Sequence, residues 1–276
     1  MKTTESAIQI EHLTKTYGRN RGVTDLNLHV EKGDIFGFLG PNGAGKSTTI
    51  RSLLGLIHFQ SGSIHICGMD AKEQHVSIMN HIGYMPSESM FYPSMRVSDV
   101  ILLAARLHKK DCHAEAAKLC DRLEIDTTKK IEELSLGNRK KVSIVCAMQH
   151  RPSLFIFDEP TSGLDPLMQK VFFDLILEYN KQGTTCFLSS HVLSEVRKYC
   201  LNAAIIRDGK LILQDSVSNL THTDSRRVKV VKDGIYEEFL YKGSLNDLMQ
   251  DLTQHDITDL EITEPSLEEI FMHYYK

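Results

Sequence analysis

The chain of 276 residues lacks tryptophan, and it has no apolar run near the roughly 20 residues that a membrane-spanning helix needs. Residues 1–6 are polar and do not resemble the apolar segment of a secretory signal. The net charge of −4 indicates no large basic surface of the kind that holds nucleic acid. We therefore expect a globular cytosolic protein that does not bind nucleic acid.

Cysteine pairing and zinc-ligand spacing are also missing. No two of the six cysteines are spaced C-x-x-C, and several lie in apolar periodic stretches, as small buried thiols do. The thirteen histidines are dispersed and show no zinc-site spacing. Neither a disulfide nor a zinc ion is therefore expected to hold this fold together.

A glycine-rich stretch supplies the first functional prediction, because it matches the pattern GxxxxGK[ST]. It lies between an apolar run, 35–39, and a stretch with helical spacing, 49–56. Backbone N–H groups of such a loop and the following helix N-terminus bind phosphate oxygens. Lys46 can then reach the β- and γ-phosphates, and the Ser47 hydroxyl can ligate Mg²⁺. The stretch consists of Gly40, Pro41, Asn42, Gly43, Ala44, Gly45, Lys46, Ser47 and Thr48.

Two adjacent carboxylates follow a second apolar run. Residues 154–157 are continuously apolar, which is typical of a central parallel strand buried on both faces. Asp158 and Glu159 would then lie at the carboxyl edge of the sheet, where ligands bind in open α/β sheets. Asp158 suits a second Mg²⁺ ligand, and Glu159 suits the general base that polarises the attacking water.

The order of the predicted elements indicates an α/β fold with two parts. Strands and helices alternate from 35 to 200, which favours a mainly parallel core sheet. The alternating stretches 8–13 and 23–30 predict an antiparallel β layer, and about 88–150 reads as a helical subdomain. After residue 224 the character changes to short strands and one helix, 245–252. We therefore predict a main unit at 1–223 and a small α+β appendage at 224–276.

Further motifs, in their order along the chain, resemble the ATP-binding subunit of ABC transporters. Residues 134–138 (LSLGN) resemble the signature LSGGQ, and residues 162–165 (SGLD) resemble the D-loop. Ser190 and His191 resemble the switch histidine segment, and Tyr17 matches the aromatic residue that stacks on adenine. The resemblance covers residues 8 to about 220 and implies a P-loop NTPase cassette that hydrolyses ATP.

The resemblance also implies roles for specific side chains. In this family two cassettes, here expected as a homodimer, enclose two ATP molecules head to tail. Ser135 and Gly137 would contact the γ-phosphate held by the partner cassette, beside Asp165 of the D-loop. Glu159, His191 and Lys46 would be the catalytic group. Each has a simpler interpretation that the residues alone leave open: Ser135 as a helix N-cap, His191 as a loop residue, and Tyr17 as a strand-end packing residue.

The sequence departs from the family pattern at the Q-loop. The usual glutamine follows a strand such as 82–86, but Ser87 and Glu88 stand there. Serine is too short to reach as glutamine does. We hypothesise that Glu88 takes over the metal or water contact. In the signature, Leu136 and Asn138 replace the usual glycine and glutamine, but the contacting positions Ser135 and Gly137 are retained.

The resemblance extends to a subclass. Residues 162–169 and the terminal stretch 264–275 are most similar to cassettes of bacterial exporters of antibiotics and other drugs. Their membrane permease is commonly a separate chain, which would place this protein on the inner face of the cell membrane. Residues 90–95 are then either an exposed docking patch for the permease or core of the helical subdomain. The alternative functions are a soluble ABC ATPase acting on DNA or ribosomes and a non-hydrolysing regulatory subunit.

Overall fold

A computed structural model describes residues 6–18, 22–221 and 225–263 of the chain. The chain divides into two compact units, Met1–Ser216 and Val217–Lys276. The strands of the first unit are β1 (Ser6–Thr16), β2 (Gly22–Glu31), β3 (Ile35–Leu39), β4 (Ser61–Ile66), β5 (Met69–Asp70), β6 (Ile82–Met85), β7 (Leu154–Asp158), β8 (Thr185–Ser190), β9 (Asn202–Arg207) and β10 (Lys210–Ser216). Its helices are α1 (Lys46–Leu53), α2 (His75–Met79), α3 (Val97–Leu107), α4 (His113–Arg122), α5 (Leu136–Met148), α6 (Pro166–Asn180) and α7 (Leu193–Tyr199).

The strands of the first unit form two sheets. The core sheet has the strand order β10-β9-β3-β8-β7-β6. Its adjacent strands run parallel, except for the antiparallel pair β9–β10. The second sheet, in the order β2-β1-β4-β5, is antiparallel throughout. Every residue of β3 and β7 is buried, as strands covered on both faces require. The predicted parallel core and antiparallel layer are confirmed.

One apolar core joins both sheets to the helix that follows the glycine-rich loop. Phe36 and Phe38 of β3 both pack against the ring of Phe187, with centroids 5.8 and 5.4 Å apart. The same cluster contains Ile8 of the antiparallel sheet and Ile50 of α1. The start of α1 is therefore anchored on a rigid base.

The helical subdomain is built from α3, α4 and α5, with a 3₁₀ turn at Ile131–Glu133 before α5. Close packing holds α5 against the core sheet, because a Cβ on Gly83 of β6 would lie 2.1 Å from the carbonyl oxygen of Ala147. A side chain at position 83 would push α5 away from β6. The N-terminal end of α5, which carries the signature-like residues, is thereby placed relative to the sheet.

The second unit is a small α+β assembly. It contains α8 (Val217–Thr221), β11 (Ser225–Lys232), β12 (Ile235–Lys242), α9 (Leu245–Leu252) and β13 (Ile257–Thr263). Its antiparallel sheet has the order β12-β11-β13. Val228 and Val230 pack against Leu248 and Leu252 of α9. The unit begins at residue 217, whereas the sequence predicts the change at 224; the terminal stretch 264–275 lies outside the described residues.

Across the residues that the structure describes, no helix is both long enough and apolar enough to span a bilayer.

Candidate functional site

The glycine-rich loop connects β3 to α1 with a backbone that needs glycine. Gly45, at the N-cap of α1, has a φ of +112°, and a Cβ there would lie 2.8 Å from a methyl group of Val23. Gly43 has a φ of +85° in open space. Both conformations strain any residue with a side chain. The loop therefore curls around the end of α1, where backbone N–H groups and the helix dipole favour an anion.

Lys46 is buried at the start of α1, and its ammonium lies inside this loop. Its side chain is 6% exposed. Nζ donates hydrogen bonds to the carbonyl oxygens of Gly40 at 2.6 Å and Pro41 at 3.2 Å. Nζ also lies 3.1 Å from Oε1 of Glu159. The cation that would bind phosphate is thus held in place by groups that a phosphate can replace.

Asp158, the last residue of β7, is hydrogen-bonded to the glycine-rich stretch through Ser47. The Ser47 hydroxyl donates to its Oδ2 at 2.7 Å, and the Ser189 hydroxyl donates to its Oδ1 at 2.6 Å. Ser189 lies opposite Asp158 in the pairing of β7 with β8. Three residues far apart in sequence therefore meet because neighbouring parallel strands end at the same edge.

The pair Ser47 and Asp158 fits a magnesium ion. Asp158 is only 2% exposed, and in the described part of the chain it forms no salt bridge. A buried carboxylate without a cation is costly. Hydroxyl and carboxylate oxygens are the hard ligands that Mg²⁺ takes, with water and phosphate completing its shell. The described residues contain no cluster of three or more His, Cys, Asp or Glu that could hold a metal by itself.

Glu159 lies next to Asp158 in a left-handed conformation, with a φ of +50°. Such a conformation is unfavourable for a glutamate and is maintained by its surroundings. Its backbone N–H donates to the Ser189 hydroxyl at 3.1 Å, and Oε2 lies 2.7 Å from Nδ1 of His191. Glu159 Oε1, although buried and near Lys46, accepts no well-aligned hydrogen bond among the described groups. One carboxylate oxygen is therefore available to accept a proton.

A cavity of about 450 Å³ opens over these groups. Tyr17 lies at its edge, 47% exposed, with the Lys15 ammonium 4.7 Å from the ring centroid. An exposed aromatic face at the mouth of a phosphate cradle is suited to stacking on a base. The lining residues are Tyr17, Gly22, Pro41, Asn42, Gly43, Gly45, Lys46, Ser47, Thr48, Ser87 and Glu159.

Most of the residues predicted to bind the nucleotide line this cavity. Some belong to the same loop without lining it, and others lie elsewhere. Gly40 and Ala44 belong to the loop but do not line the cavity. Gly40 has no room for a side chain, since a Cβ would lie 2.5 Å from the carbonyl oxygen of Ile206. Glu88 is exposed and outside the cavity lining, so the structure does not bring it to Ser47 and Asp158.

The signature-like residues form a second group that does not line the cavity of their own chain. Ser135 is the N-cap of α5 and accepts from the N–H of Asn138 at 3.3 Å. Asp165 caps α6 by accepting from Met168 N–H at 3.0 Å. Gly137 contacts the D-loop closely, because a Cβ there would lie 2.8 Å from Gly163 O. These residues have local roles, and Ser135 is also exposed at the N-terminus of α5.

Sequence reasoning missed three residues of the site, Gly22, Ser189 and Lys140, and it placed Ser87 at the Q-loop position without giving it a contact. Gly22 and Ser87 line the cavity, and Ser189 holds Asp158. Lys140 of α5 is buried and donates to the carbonyl oxygen of Ser87 at 2.8 Å. Ser189 could have been found from its position just before Ser190 and His191. Gly22 and Lys140 carry no local signal, because they reach the site through strand register and helix packing.

Comparison with known proteins agrees with this geometry. The profile of the ABC transporter family matches residues 23–162. The bacitracin transport ATP-binding protein BcrA of Bacillus licheniformis is 35% identical over 96% of each chain. The linearmycin resistance ATP-binding protein LnrL of Bacillus subtilis is 29% identical over 96% of this chain and 97% of that protein.

A solved structure shows the same fold over nearly the whole length. It is the ATP-binding subunit of an ABC transporter, with a TM-score of 0.76 at 23% identity, covering 98% of this chain and 100% of that one. The family match includes the glycine-rich loop and both carboxylates, and the alignment with BcrA spans both units of the chain. The chain therefore belongs to the ABC transporter family and is one of its ATP-binding, ATP-hydrolysing subunits.

Proposed function

We propose that this chain binds ATP with Mg²⁺, pairs head to tail with a second copy, and uses ATP turnover to drive a separate membrane permease. The transported compounds are drug-, antibiotic- or peptide-like, and they leave the cell. The observation that carries this proposal is the convergence of Lys46, Ser47, Asp158, Glu159 and His191 at one sheet edge, beside a cavity edged by an aromatic ring.

Ser47 and Asp158 would hold the metal. When bound there, Mg²⁺ neutralises charge on the β- and γ-phosphates and favours departure of the ADP oxygen. The Ser47 hydroxyl must then turn its proton away from Asp158, which keeps its second hydrogen bond from Ser189.

Glu159 would act as the general base. Once the γ-phosphate engages the Lys46 ammonium, the carboxylate loses that ion pair and can accept a proton from the attacking water. The water oxygen forms a bond to the γ-phosphorus, and the bond from phosphorus to the ADP oxygen breaks. His191, 2.7 Å from Oε2, keeps the carboxylate oriented and can contact the γ-phosphate.

The exposed N-terminus of α5 supports the head-to-tail pair. Ser135 and Gly137 lie outside their own cavity, and the neighbouring Leu136 is 67% exposed. A helix N-terminus with a small hydroxyl and a glycine is suited to a phosphate group presented by another subunit. ATP would bind the paired state preferentially, so that binding closes the dimer and hydrolysis reopens it. Size-exclusion chromatography of Glu159→Gln protein with ATP should give a dimer that Ser135→Arg abolishes.

Exposed apolar side chains support the permease contact. Met90 and Tyr92, in the loop after Ser87, are 88% and 72% exposed. On α3 in the same helical subdomain, Leu107 is 73% exposed and Leu102 and Leu103 are also exposed. Single exposed apolar side chains are common, but several of them on one subdomain are suited to protein contact. These residues are therefore the proposed docking patch, in preference to a role in the subdomain core.

The export of antibiotic-like compounds is proposed from the relatives. BcrA and LnrL are named for bacitracin transport and linearmycin resistance, and each aligns with almost the whole chain. A resistance protein protects a cell by removing the compound, which favours export. Both alignments also include the second unit, so we propose that it belongs to the common architecture of these subunits.

The test is to isolate what the protein binds in its own cell. Tagged Glu159→Gln protein is expressed at native level, membranes are solubilised gently with ATP and Mg²⁺, and co-purifying chains are identified. We expect a polytopic membrane protein at near one-to-one ratio, with less of it recovered for Met90→Asp. Ribosomal proteins or DNA without a membrane chain would overturn the proposal in favour of a soluble ABC ATPase.

A further inference from the structure

Lys140 is a buried cation in α5 whose side chain crosses to the loop that follows β6. It is 3% exposed, and its Nζ donates to the backbone carbonyl of Ser87 at 2.8 Å. Ser87 in turn lines the nucleotide cavity. A single side chain thus ties the helix that carries the signature to a wall of the ATP site in the same chain.

Two carboxylates nearby partly offset the burial of this ammonium. Burial lowers the pKa of Lys140, while the negative charges of Asp158 and Glu159 raise it. The cation therefore lies within electrostatic reach of the proposed metal ligand and the proposed base. A buried ammonium needs good partners, because leaving one without them is costly.

The position of Lys140 links two sites through one rigid element. Five residues separate it from Ser135, which corresponds to about 7.5 Å along a helix. Ser135 and Gly137 do not line their own cavity, whereas Lys140 hydrogen-bonds to Ser87, which does. A displacement of Ser87 on phosphate binding would therefore be transmitted to the N-terminus of α5.

We propose that Lys140 is a positioning residue that couples occupancy of the nucleotide cavity to the signature end of α5. It acts through Ser87 and does not itself touch the nucleotide. A lysine on the helix thus makes, from the other side, a contact with the loop that the short side chain of Ser87 cannot make across to the helix. The inference rests on the proposed nucleotide function of the cavity and adds a residue that the sequence motifs do not assign.

The test follows hydrogen exchange in Glu159→Gln protein with and without ATP and Mg²⁺. Lys140→Met removes the charge and the hydrogen bond while keeping the length of the side chain, so that the fold is retained. Lys140→Arg restores a charged donor, and Lys141→Met is the matched control on the same helix. The segments followed are 43–48, 87–95 and 136–148.

With Lys140 present, we expect ATP to slow exchange in all three segments. Lys140→Met should keep the protection of 43–48 and lose that of 136–148, with exchange at 87–95 about tenfold faster even without nucleotide. Turnover, measured in chains with Glu159 intact, should fall through kcat at nearly unchanged KM. Lys140→Arg should recover most of both effects, and Lys141→Met should behave like the parent.

The outcomes separate this inference from the proposed function. Equal protection of 136–148 in the Lys140→Met and parent proteins would overturn the coupling role. A lack of ATP protection at 43–48 in the parent would overturn the nucleotide site itself. In that case the comparison of 87–95 without nucleotide still decides whether Lys140 holds the loop.

Discussion

The Nδ1 atom of His191 lies 2.7 Å from Oε2 of Glu159, although 32 residues separate the two in sequence. The other carboxylate oxygen lies 3.1 Å from the Lys46 ammonium. Glu159 is therefore held between two nitrogen groups in a conformation that a glutamate does not favour. The site thus holds the proposed base beside the cation proposed to bind phosphate.

Glu159→Gln should nearly abolish ATP turnover and preserve ATP binding. The amide keeps the shape of the side chain but cannot accept the proton of the attacking water. Loss of a general base lowers the rate by about 10²- to 10⁴-fold. Steady-state phosphate release and equilibrium binding of a fluorescent ATP analogue give the two quantities. Turnover at the parental rate would show that another group is the base.

Lys46→Ala should weaken ATP binding itself. The ammonium lies among the loop carbonyls at 2.6 and 3.2 Å, where the phosphates would arrive. Loss of a charged hydrogen-bonding partner costs about 1.5–3 kcal/mol, or about ten- to a hundredfold in Kd. Isothermal titration with ATP measures the change. Lys170→Ala on the exposed side of α6 is the matched control, and equal Kd values for the two variants would contradict the assignment.

Asp34→Asn should stabilise the protein at pH 8 but not near pH 4. Burial raises the pKa of Asp34 to about 6, the Asn202 hydrogen bond opposes this, and Glu31 adds to it. Because the folded state holds this proton more tightly than the unfolded state, the stabilisation is full below the ordinary value near 3.8. It is lost as pH rises through about 6. The neutral amide avoids the loss.

Urea unfolding of Asp34→Asn and the parent protein between pH 5 and 8 measures this effect. The difference in unfolding free energy should grow with pH toward an upper bound of about 3 kcal/mol, the value for a shift of about two pH units. A constant difference across this range would show that Asp34 ionises normally in the folded protein.

Tyr179→Phe should destabilise the first unit. The buried Tyr179 hydroxyl donates to Oε1 of Glu115 at 2.5 Å and joins α6 to α4. Burial opposes the charge of Glu115, but hydrogen bonds from Tyr179 and Arg151 outweigh it and lower the pKa of that carboxyl. Removing the hydroxyl leaves a buried carboxylate short of a donor, at a cost of about 1–3 kcal/mol.

The control for Tyr179→Phe is Tyr236→Phe, which removes a similar hydrogen bond to Glu238 at an exposed position. A surface change of this kind alters the unfolding free energy by less than about 0.5 kcal/mol. Denaturant melts compare each variant with the parent protein. Equal effects of the two substitutions would contradict the structural role assigned to the Tyr179–Glu115 pair.

Local sequence was sufficient to locate the glycine-rich loop and the two carboxylates at the edge of the core sheet, and to predict most elements of the fold. A P-loop can be read from sequence because its glycines, lysine and serine act through one short backbone turn, and Gly45 indeed has a φ of +112°. Asp158 ends a strand that is buried at every residue. The apolar run 154–157 therefore predicted both the strand and the position of Asp158 at the carboxyl edge of the sheet. Ser135 also proved to be the N-cap of its helix.

Tertiary structure alone decided which side chains contact Asp158 and Ser87. Ser189 reaches Asp158 through the register of β7 and β8, and Lys140 reaches Ser87 because α5 packs closely on β6. Glu88, the expected substitute for the Q-loop glutamine, is exposed and does not line the cavity. The motifs arise from contacts within a few residues of chain. The supporting contacts join residues 31 to 111 positions apart, and only the packing of strands and helices brings them together.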